Sequence, residues 1–180
     1  MLEYEMIDLN KNQIDAIQNA MELEGLNTRD REILNEMIDF ENSSDQEVTL
    51  FVDGASDLHS KTAGIGGVVY INEKELTCFS EPLYDKTNNE AEYLALIKGI
   101  EVISELKISN VKIFADSELV VKQVLGVYKV KNERMKNLHA QVSSGLQQIG
   151  NWSIGHVRRE RNIRADELSK IGMEKARNEK

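Results

Sequence analysis

Five stretches of the chain show the apolar patterns of β-strands, either alternating apolar and polar residues or running apolar for several positions. They are EVTLFVDG (47–54), two strands within AGIGGVVYINEKELTCFSEPL (63–83), SNVKIFAD (109–116) and NWSIGHV (151–157). The first strand is predicted to end at Asp53 and Gly54, and residues 72–74 form a predicted turn. Cys78 and Trp152 fall within strand patterns, so we expect both side chains to lie in the core.

Helical patterns, in which apolar residues recur every three or four positions, follow the third strand. They are TNNEAEYLALIKGIEVISELK (87–107), SELVVKQVLG (117–126), KNERMKNLHAQVSSGLQQI (131–149) and a last helix over about residues 163–175. Thr87 or Asn88 is the expected N-cap of the first helix. A run of strands followed by alternating helices and strands predicts an α/β fold with a mixed sheet, parallel where helices cross over.

Two shorter amphipathic patterns precede the first strand, in NKNQIDAIQNAMELEGL (10–26) and NTRDREILNEMIDF (27–40). Gly25 ends the first pattern, and Thr28 is the expected N-cap of the second. The apolar stripes are Ile14, Ile17, Met21 and Leu23 or Leu26 in the first, and Ile33, Leu34, Met37, Ile38 and Phe40 in the second. A helical hairpin cannot bury both stripes alone. We therefore expect residues 1–46 to form an extension that packs on the body (residues 47–180), on a second copy as a homodimer, or on a protein partner.

The charge of the chain is unevenly distributed. The formal net charge is −9, but residues 1–47 hold 13 acidic and 3 basic residues, whereas the remaining 133 residues hold 18 acidic and 19 basic ones. The nearly neutral body is compatible with a nucleic-acid partner, which the net charge alone argues against. The acidic N-terminus is unlike a signal peptide, which predicts a cytoplasmic protein without a membrane span. The single cysteine excludes an intramolecular disulfide.

Carboxylates stand at the ends of two predicted strands, Asp53 after the first and Asp116 after KIFA. A charge at the end of a buried strand is costly unless it is paired. Asp116 is therefore either the N-cap of the next helix or part of a site. Because the carboxyl ends of neighbouring parallel strands lie together, we expect Asp53 and Asp116 to meet. Glu92 can join them from the connecting helix, and Asp166 from the last helix.

Four converging carboxylates repel one another unless a cation neutralises them. Hard divalent ions prefer oxygen ligands, so the sequence predicts Mg²⁺ or Mn²⁺ at this position. Two such ions about 3.5 to 4 Å apart can activate a water and stabilise the leaving oxygen in phosphodiester cleavage. We therefore expect two ions per site.

These residues resemble the signature of a known family. Asp53 in FVDGAS, Glu92 in TNNEAE, Asp116 in FADSELV and Asp166 in RADELSK, with GHVRRERN ahead of the last, resemble the Asp, Glu, Asp, Asp signature of type 1 ribonuclease H. The likeness spans about residues 48–175. It is greatest to the short, reverse-transcriptase-like branch of archaeal and Gram-positive type.

The resemblance implies a five-stranded sheet whose first three strands are antiparallel, and a metal-dependent endonuclease that hydrolyses the RNA strand of RNA–DNA hybrids. It implies that the four acids bind both metals and that His156 assists proton transfer or product release. Asn88 and Asn89 fall where the family reads the minor groove, which displays 2′-hydroxyls. Beside the acids, Ser117, Arg158 and Arg159 are further expected substrate contacts, the arginines through phosphates.

Three features depart from the family pattern. The loop SDLHSKTAG (56–64) places His59 where a substrate-contacting Asn usually stands, Glu118 replaces a common Gln, and the N-terminal extension is acidic where the family's hybrid-binding domain is basic. His59 and His139 are expected at the surface. Two hypotheses follow. The chain is an active hybrid endonuclease, or it is a catalytically weak or inactive nucleic-acid-binding or regulatory protein whose N-terminal hairpin is a docking arm.

Overall fold

The structure, a computed structural model, describes residues 11–22, 25–34 and 47–179. The chain divides into two compact units, Met1–Gln46 and Glu47–Lys180. Within the described ranges, no helix is both long enough and apolar enough to cross a membrane.

The N-terminal unit contains the predicted hairpin as two helices. Helix α1 spans Lys11–Met21, and helix α2 covers residues 28–34 of the described part. The N-cap of α2 is Asn27, because its Oδ1 accepts a hydrogen bond from the backbone N–H of Asp30 at 2.9 Å. The prediction of Thr28 was wrong by one residue, since an Asn side chain caps at least as well as Thr. The predicted stripe residues Leu23, Met37, Ile38 and Phe40 lie outside the described residues.

The second unit is built on a five-stranded mixed sheet. The strands are β1 (Val48–Asp57), β2 (Thr62–Ile71), β3 (Lys74–Tyr84), β4 (Asn110–Ala115) and β5 (Asn151–His156). Their order across the sheet is β3-β2-β1-β4-β5. The pairs β1–β2 and β2–β3 are antiparallel, whereas β1–β4 and β4–β5 are parallel. This topology confirms the predicted fold class.

Helices pack on both faces of the sheet. They are α3 (Asn88–Glu105), α4 (Glu118–Val124), α5 (Glu133–Leu146) and α6 (Ile163–Asn178), with a short 3₁₀ helix at Arg159–Arg161. Helix α3 packs on β1 and β2 and is backed by α5, whereas α6 packs on β1, β2 and β3. Side chains alternate along β1, so Leu50 and Val52 join the core with Tyr93 and Leu96 of α3.

Local signals set the ends of α3 and of the β2–β3 hairpin. The Thr87 hydroxyl accepts a hydrogen bond from the backbone of Glu90 at 3.3 Å, and the Glu90 carboxylate accepts one from the backbone of Thr87 at 2.9 Å. This reciprocal capping box makes Thr87 the N-cap. Asn72 and Glu73 form the hairpin turn with φ of 48° and 65°, as the two-residue turns of tight hairpins require.

Three expectations about the strands were wrong. Strand β1 does not end at Asp53, because its pairing with β2 continues to Asp57. Cys78 is exposed, since β3 is an edge strand and Cys78 alternates with Phe79, which packs against the core. Trp152 is 38% exposed because β5 is the opposite edge strand.

The approach of α3 to β1 depends on Gly54. A Cβ at this position would lie 2.3 Å from the backbone carbon of Ala91 and 2.3 Å from the backbone nitrogen of Glu92. We expect Gly54→Ala to lower the free energy of unfolding by about 2 to 4 kcal/mol, because backbone atoms cannot move aside as a flexible side chain can. Urea denaturation measures the loss.

The matched control is Gly155→Ala in β5, where a Cβ would meet the Phe114 ring at an ordinary 3.4 Å. We expect a change of less than about 1 kcal/mol there. Equal effects of the two substitutions would contradict the claim that Gly54 sets the approach of α3.

Candidate active site

Three acidic side chains converge beside the neighbouring strands β1 and β4. Asp53 lies within β1, Asp116 directly follows β4, and Glu92 lies near the start of α3. One carboxylate oxygen from each residue lies within 4.8 Å of the other two. Asp53 and Glu92 are only 4% and 7% exposed, and Asp116 is half-buried. The structure therefore brings these three predicted site residues together, and we call them the carboxylate trio.

Strand register and one close backbone approach produce this convergence. Val52 of β1 pairs with Ala115 of β4, so the next residues, Asp53 and Asp116, lie side by side. The absence of a side chain at Gly54 lets α3 reach the strand, and the backbone N–H of Gly54 donates a hydrogen bond to the Glu92 carboxylate. The trio thus depends on parallel pairing and on the contact between α3 and β1.

The interpretation of Asp116 as a helix N-cap is wrong. Helix α4 is capped by Ser117, whose Oγ accepts a hydrogen bond from the backbone N–H of Val120 at 3.4 Å. Ser117 therefore performs the capping role within the strand-to-helix turn. The Asp116 carboxylate is left to face Asp53 and Glu92.

Two polar side chains contact the trio. The Ser169 hydroxyl of α6 donates a hydrogen bond to Asp53 and also lies 2.9 Å from the backbone oxygen of Asp166. Asn88 Nδ2 lies 3.4 Å from Glu92 Oε1, one helical turn away on α3. Sequence reasoning missed Ser169, although its position three residues after Asp166 in a predicted helix places both on one helix face.

Burial and mutual repulsion raise the pKa values of Asp53 and Glu92. Burial raises the pKa of Glu92 to about 9, and the charges of Asp53 and Asp116 add to that rise. Burial also raises the pKa of Asp53 to about 6, against the opposing effect of the Ser169 hydrogen bond. Within the described residues, no Lys or Arg forms an ion pair with any member of the trio. Arg159 interacts electrostatically with Asp53 and Asp116, but in this part of the chain it forms its ion pair with Asp166.

The fourth predicted acid, Asp166, does not belong to the trio. One of its oxygens accepts hydrogen bonds from the Arg159 guanidinium, with Nε at 2.9 Å, and the other accepts from Lys170 Nζ at 2.5 Å. Burial alone would raise the pKa of Asp166, but the hydrogen bonds from Lys170 and Arg159 outweigh it, so the pKa lies below its usual value. Asp166 is therefore already neutralised by the chain itself.

The other predicted site residues surround these acids on exposed positions. His156 is exposed at the end of β5, where it pairs in register with Ala115. Asn88 and Asn89 are exposed in the first turn of α3. Arg158 is exposed directly before the 3₁₀ helix.

Glu118 adds less negative charge to this surface than its sequence position suggested. Its carboxylate forms an ion pair with Lys122, one turn along α4, at 2.5 Å. That hydrogen bond lowers the pKa of Glu118, and His156 contributes in the same direction. Lys122 therefore offsets the charge.

The two remaining histidines differ from each other. His59 is exposed in the β1–β2 turn, and its backbone N–H donates to Asp57 Oδ1 at 3.0 Å. His139 is partly buried, with Nε2 3.1 Å from the backbone oxygen of Gln123 and its ring beside that of Tyr93. The expectation of a surface position for His139 was wrong because the apolar face of α5 packs against α3.

Comparison with known proteins places this chain in a family. The model of the family described as "Reverse transcriptase-like" matches residues 51–172. The ribonuclease HI of Halobacterium salinarum is 29% identical over 130 residues, which cover 72% of this chain and 65% of that relative. A bifunctional protein of Mycobacterium tuberculosis is 32% identical over 132 residues, and this match covers 36% of the length of the mycobacterial protein. The chain belongs to the reverse transcriptase-like family, within the type 1 ribonucleases H.

Two solved structures agree with this assignment. The N-terminal ribonuclease H domain of that mycobacterial protein, solved as a fusion with maltose binding protein, has a TM-score of 0.71 and 31% identity, covering 74% of this chain and 98% of that one. LC11-RNase H1, solved in complex with an RNA/DNA hybrid, has a TM-score of 0.68 and 34% identity, covering 72% of this chain and 99% of that one. Each match covers nearly the whole of the solved chain, so both structures are matched as complete domains.

The raised pKa of Glu92 makes the stability of the metal-free protein depend on pH. A carboxyl whose pKa rises from 4.5 to about 9 on folding stabilises the fold most below pH 4.5, and that contribution is lost as pH rises through about 9. We expect Glu92→Gln to leave the melting temperature nearly unchanged at pH 5 and to raise it by roughly 3 to 8 °C at pH 8.5. Thermal melts in the presence of a chelator measure the difference.

The control is Glu105→Gln, an exposed position at the end of the same helix. Its melting temperature should follow the wild type at both pH values. A Glu92→Gln variant that is destabilised equally at pH 5 and pH 8.5 would show that Glu92 is not held as a strained, repelled carboxyl.

Proposed function

We propose that this protein is a metal-dependent endonuclease that hydrolyses the RNA strand of RNA–DNA hybrids. The observation that carries the proposal is the carboxylate trio, of which Asp53 and Glu92 are buried and Asp116 is half-buried, and which forms no ion pair in the described part of the chain. Such a group is costly to bury. The cost is explained if the trio serves to bind cations.

The donor set fits a hard divalent ion. All three side chains offer carboxylate oxygens, which Mg²⁺ and Mn²⁺ prefer, and no described His or Cys belongs to the group. The proposal includes two ions per site, held by the trio together with Asp166. Bound divalent ions would supply an activated water and stabilisation of the leaving oxygen.

The residues of the chain then have separate roles. The metal ligands would be Asp53, Glu92 and Asp116. The buried Ser169 orients Asp53 through its hydrogen bond. His156 is exposed at the mouth of the site, where it can accept or donate a proton in exchange with solvent.

The surface beside the trio suits an A-like duplex. Asn88 and Asn89 present amides that can donate to and accept from 2′-hydroxyls and base edges, and Arg158 presents a guanidinium suited to backbone phosphates. The relative LC11-RNase H1 was solved with an RNA/DNA hybrid. This supports the same substrate class here.

The alternative is a catalytically weak or inactive nucleic-acid-binding or regulatory protein, and the β1–β2 turn is the feature that favours it. His59 stands in this turn, and the turn is braced by hydrogen bonds from His59 to Asp57 and by the ion pair of Asp57 with Arg177. A braced turn with a different side chain can weaken substrate contact without affecting the trio. Hybrid binding without turnover is the result this alternative predicts.

Cleavage of an end-labelled RNA–DNA hybrid tests the proposal. We expect cleavage with Mg²⁺ or Mn²⁺, none with chelator, and none of duplex DNA or duplex RNA. Asp53→Asn and Asp116→Asn should each reduce the rate at least about 10³-fold, since the acids act as one binding unit. Glu105→Gln removes the same charge away from the trio and should cleave normally. Near-normal turnover in either Asp variant would exclude the assigned role of the trio.

His156 should behave differently, because its proposed role is proton transfer. We expect His156→Ala to lower turnover by about 10- to 10³-fold and to leave Mn²⁺ affinity, measured by calorimetry, nearly unchanged. Circular dichroism checks that the variant is folded. A large loss of Mn²⁺ affinity would instead make His156 a metal ligand.

A further inference from the structure

The carboxylate of Asp166 differs from the trio because each of its oxygens accepts a hydrogen bond from a cationic side chain. Its Oδ1 accepts from Arg159, with Nε at 2.9 Å, and its Oδ2 accepts from Lys170 Nζ at 2.5 Å. The members of the trio have no such pairing in the described part of the chain. One acid of the predicted four is thus neutralised by the protein, while the other three are not.

Local helix geometry builds this contact. Lys170 follows Asp166 by four residues on α6, so the two side chains share a helix face. Arg159 reaches the same carboxylate from the 3₁₀ helix that precedes α6. The Asp166 side chain is 12% exposed, whereas those of Lys170 and Arg159 are 51% and 65% exposed. Both cations therefore approach a nearly buried carboxylate from the solvent side.

We propose that Lys170 and Arg159 form a clamp that competes with divalent cations for Asp166, with Lys170 as a positioning residue that lowers metal affinity. This inference rests on the proposed function. A metal ion bound by Asp166 must approach the oxygens that already accept hydrogen bonds from the clamp. It would also lie beside two positive side chains, which repel it.

The clamp makes metal binding by Asp166 depend on the positions of Lys170 and Arg159. In the described part of the chain no Lys or Arg forms an ion pair with the trio, so a metal ion bound there displaces no cationic side chain from it. Asp166 can take part only when Lys170, Arg159 or both release its oxygens. Because both cations are largely exposed, release is inexpensive, and the clamp should change affinity by a small factor.

Calorimetric titration with Mn²⁺ at low salt, without nucleic acid, tests the clamp on the full chain. Lys170→Gln should bind Mn²⁺ about twofold to fivefold more tightly than the wild type, the range expected for a partly exposed ion pair. Lys170→Arg keeps the charge and should restore wild-type affinity. Lys175→Gln removes a charge from the same helix, where Lys175 contacts the carbonyl oxygen of Ser80, and should have no effect.

Two further readouts separate the clamp from a merely structural ion pair. Lys170→Gln should lower the melting temperature of metal-free protein while it raises Mn²⁺ affinity, whereas a structural role would weaken both. In an Asp166→Asn background, Lys170→Gln should no longer alter affinity, because Lys170 acts through Asp166. The difference between Lys170→Gln and the wild type should also shrink at high salt.

The outcomes distinguish this inference from the proposed function. Unchanged or weaker Mn²⁺ binding in Lys170→Gln, with Asp53→Asn still abolishing binding, overturns the clamp and leaves the proposed function standing. The clamp is also overturned if Lys170→Gln still alters Mn²⁺ affinity in the Asp166→Asn background. A wild type that binds no Mn²⁺ overturns the proposed function and the clamp together.

Discussion

Repulsion among buried carboxylates is the constraint on which the rest of the site depends. Asp53, Glu92 and Asp116 bring oxygen atoms within 4.8 Å of one another, and burial raises the pKa of Glu92 to about 9. A fold that needed only stability would replace such a group with apolar side chains. Here, two parallel strands and the close approach of α3 at Gly54 hold the three carboxylates together. Under the proposed function a divalent cation would supply the missing charge, which would link the fold to a metal-dependent reaction.

The distribution of counter-charges divides the four acids into two kinds. Asp166 is paired with Arg159 and Lys170, whereas the trio is left unpaired within the described residues. Helix α6 connects the two, because it carries Asp166 and also Ser169, which donates to Asp53. Under the two proposals, cationic side chains of the protein and metal ions from solvent would compete for neighbouring carboxylates of one site.

Most of the fold could be predicted because its signals are local. Strand patterns, the Thr87 cap and the two-residue turn at residues 72–73 depend on neighbouring residues, and the mixed sheet follows from their order. The meeting of Asp53, Glu92 and Asp116 followed from strand polarity. What could not be predicted depends on tertiary packing. The ion pairs of Asp166, the Ser169 contact, the partial burial of His139 and the exposure of Trp152 are set by how helices and edge strands pack. The role of residues 1–46 stays a prediction.

Proton release on metal binding tests the central claim most directly. If burial and repulsion keep Glu92 protonated in the metal-free protein, Mn²⁺ must displace that proton, so calorimetry at pH 7 in buffers of different ionisation enthalpy should report about one proton released per protein. The release should fall toward zero as pH rises above about 9, the pKa of Glu92, and should disappear in Glu92→Gln. Mn²⁺ binding at pH 7 with no proton release would contradict the account, because the trio would then be ionised and compensated before any metal arrives.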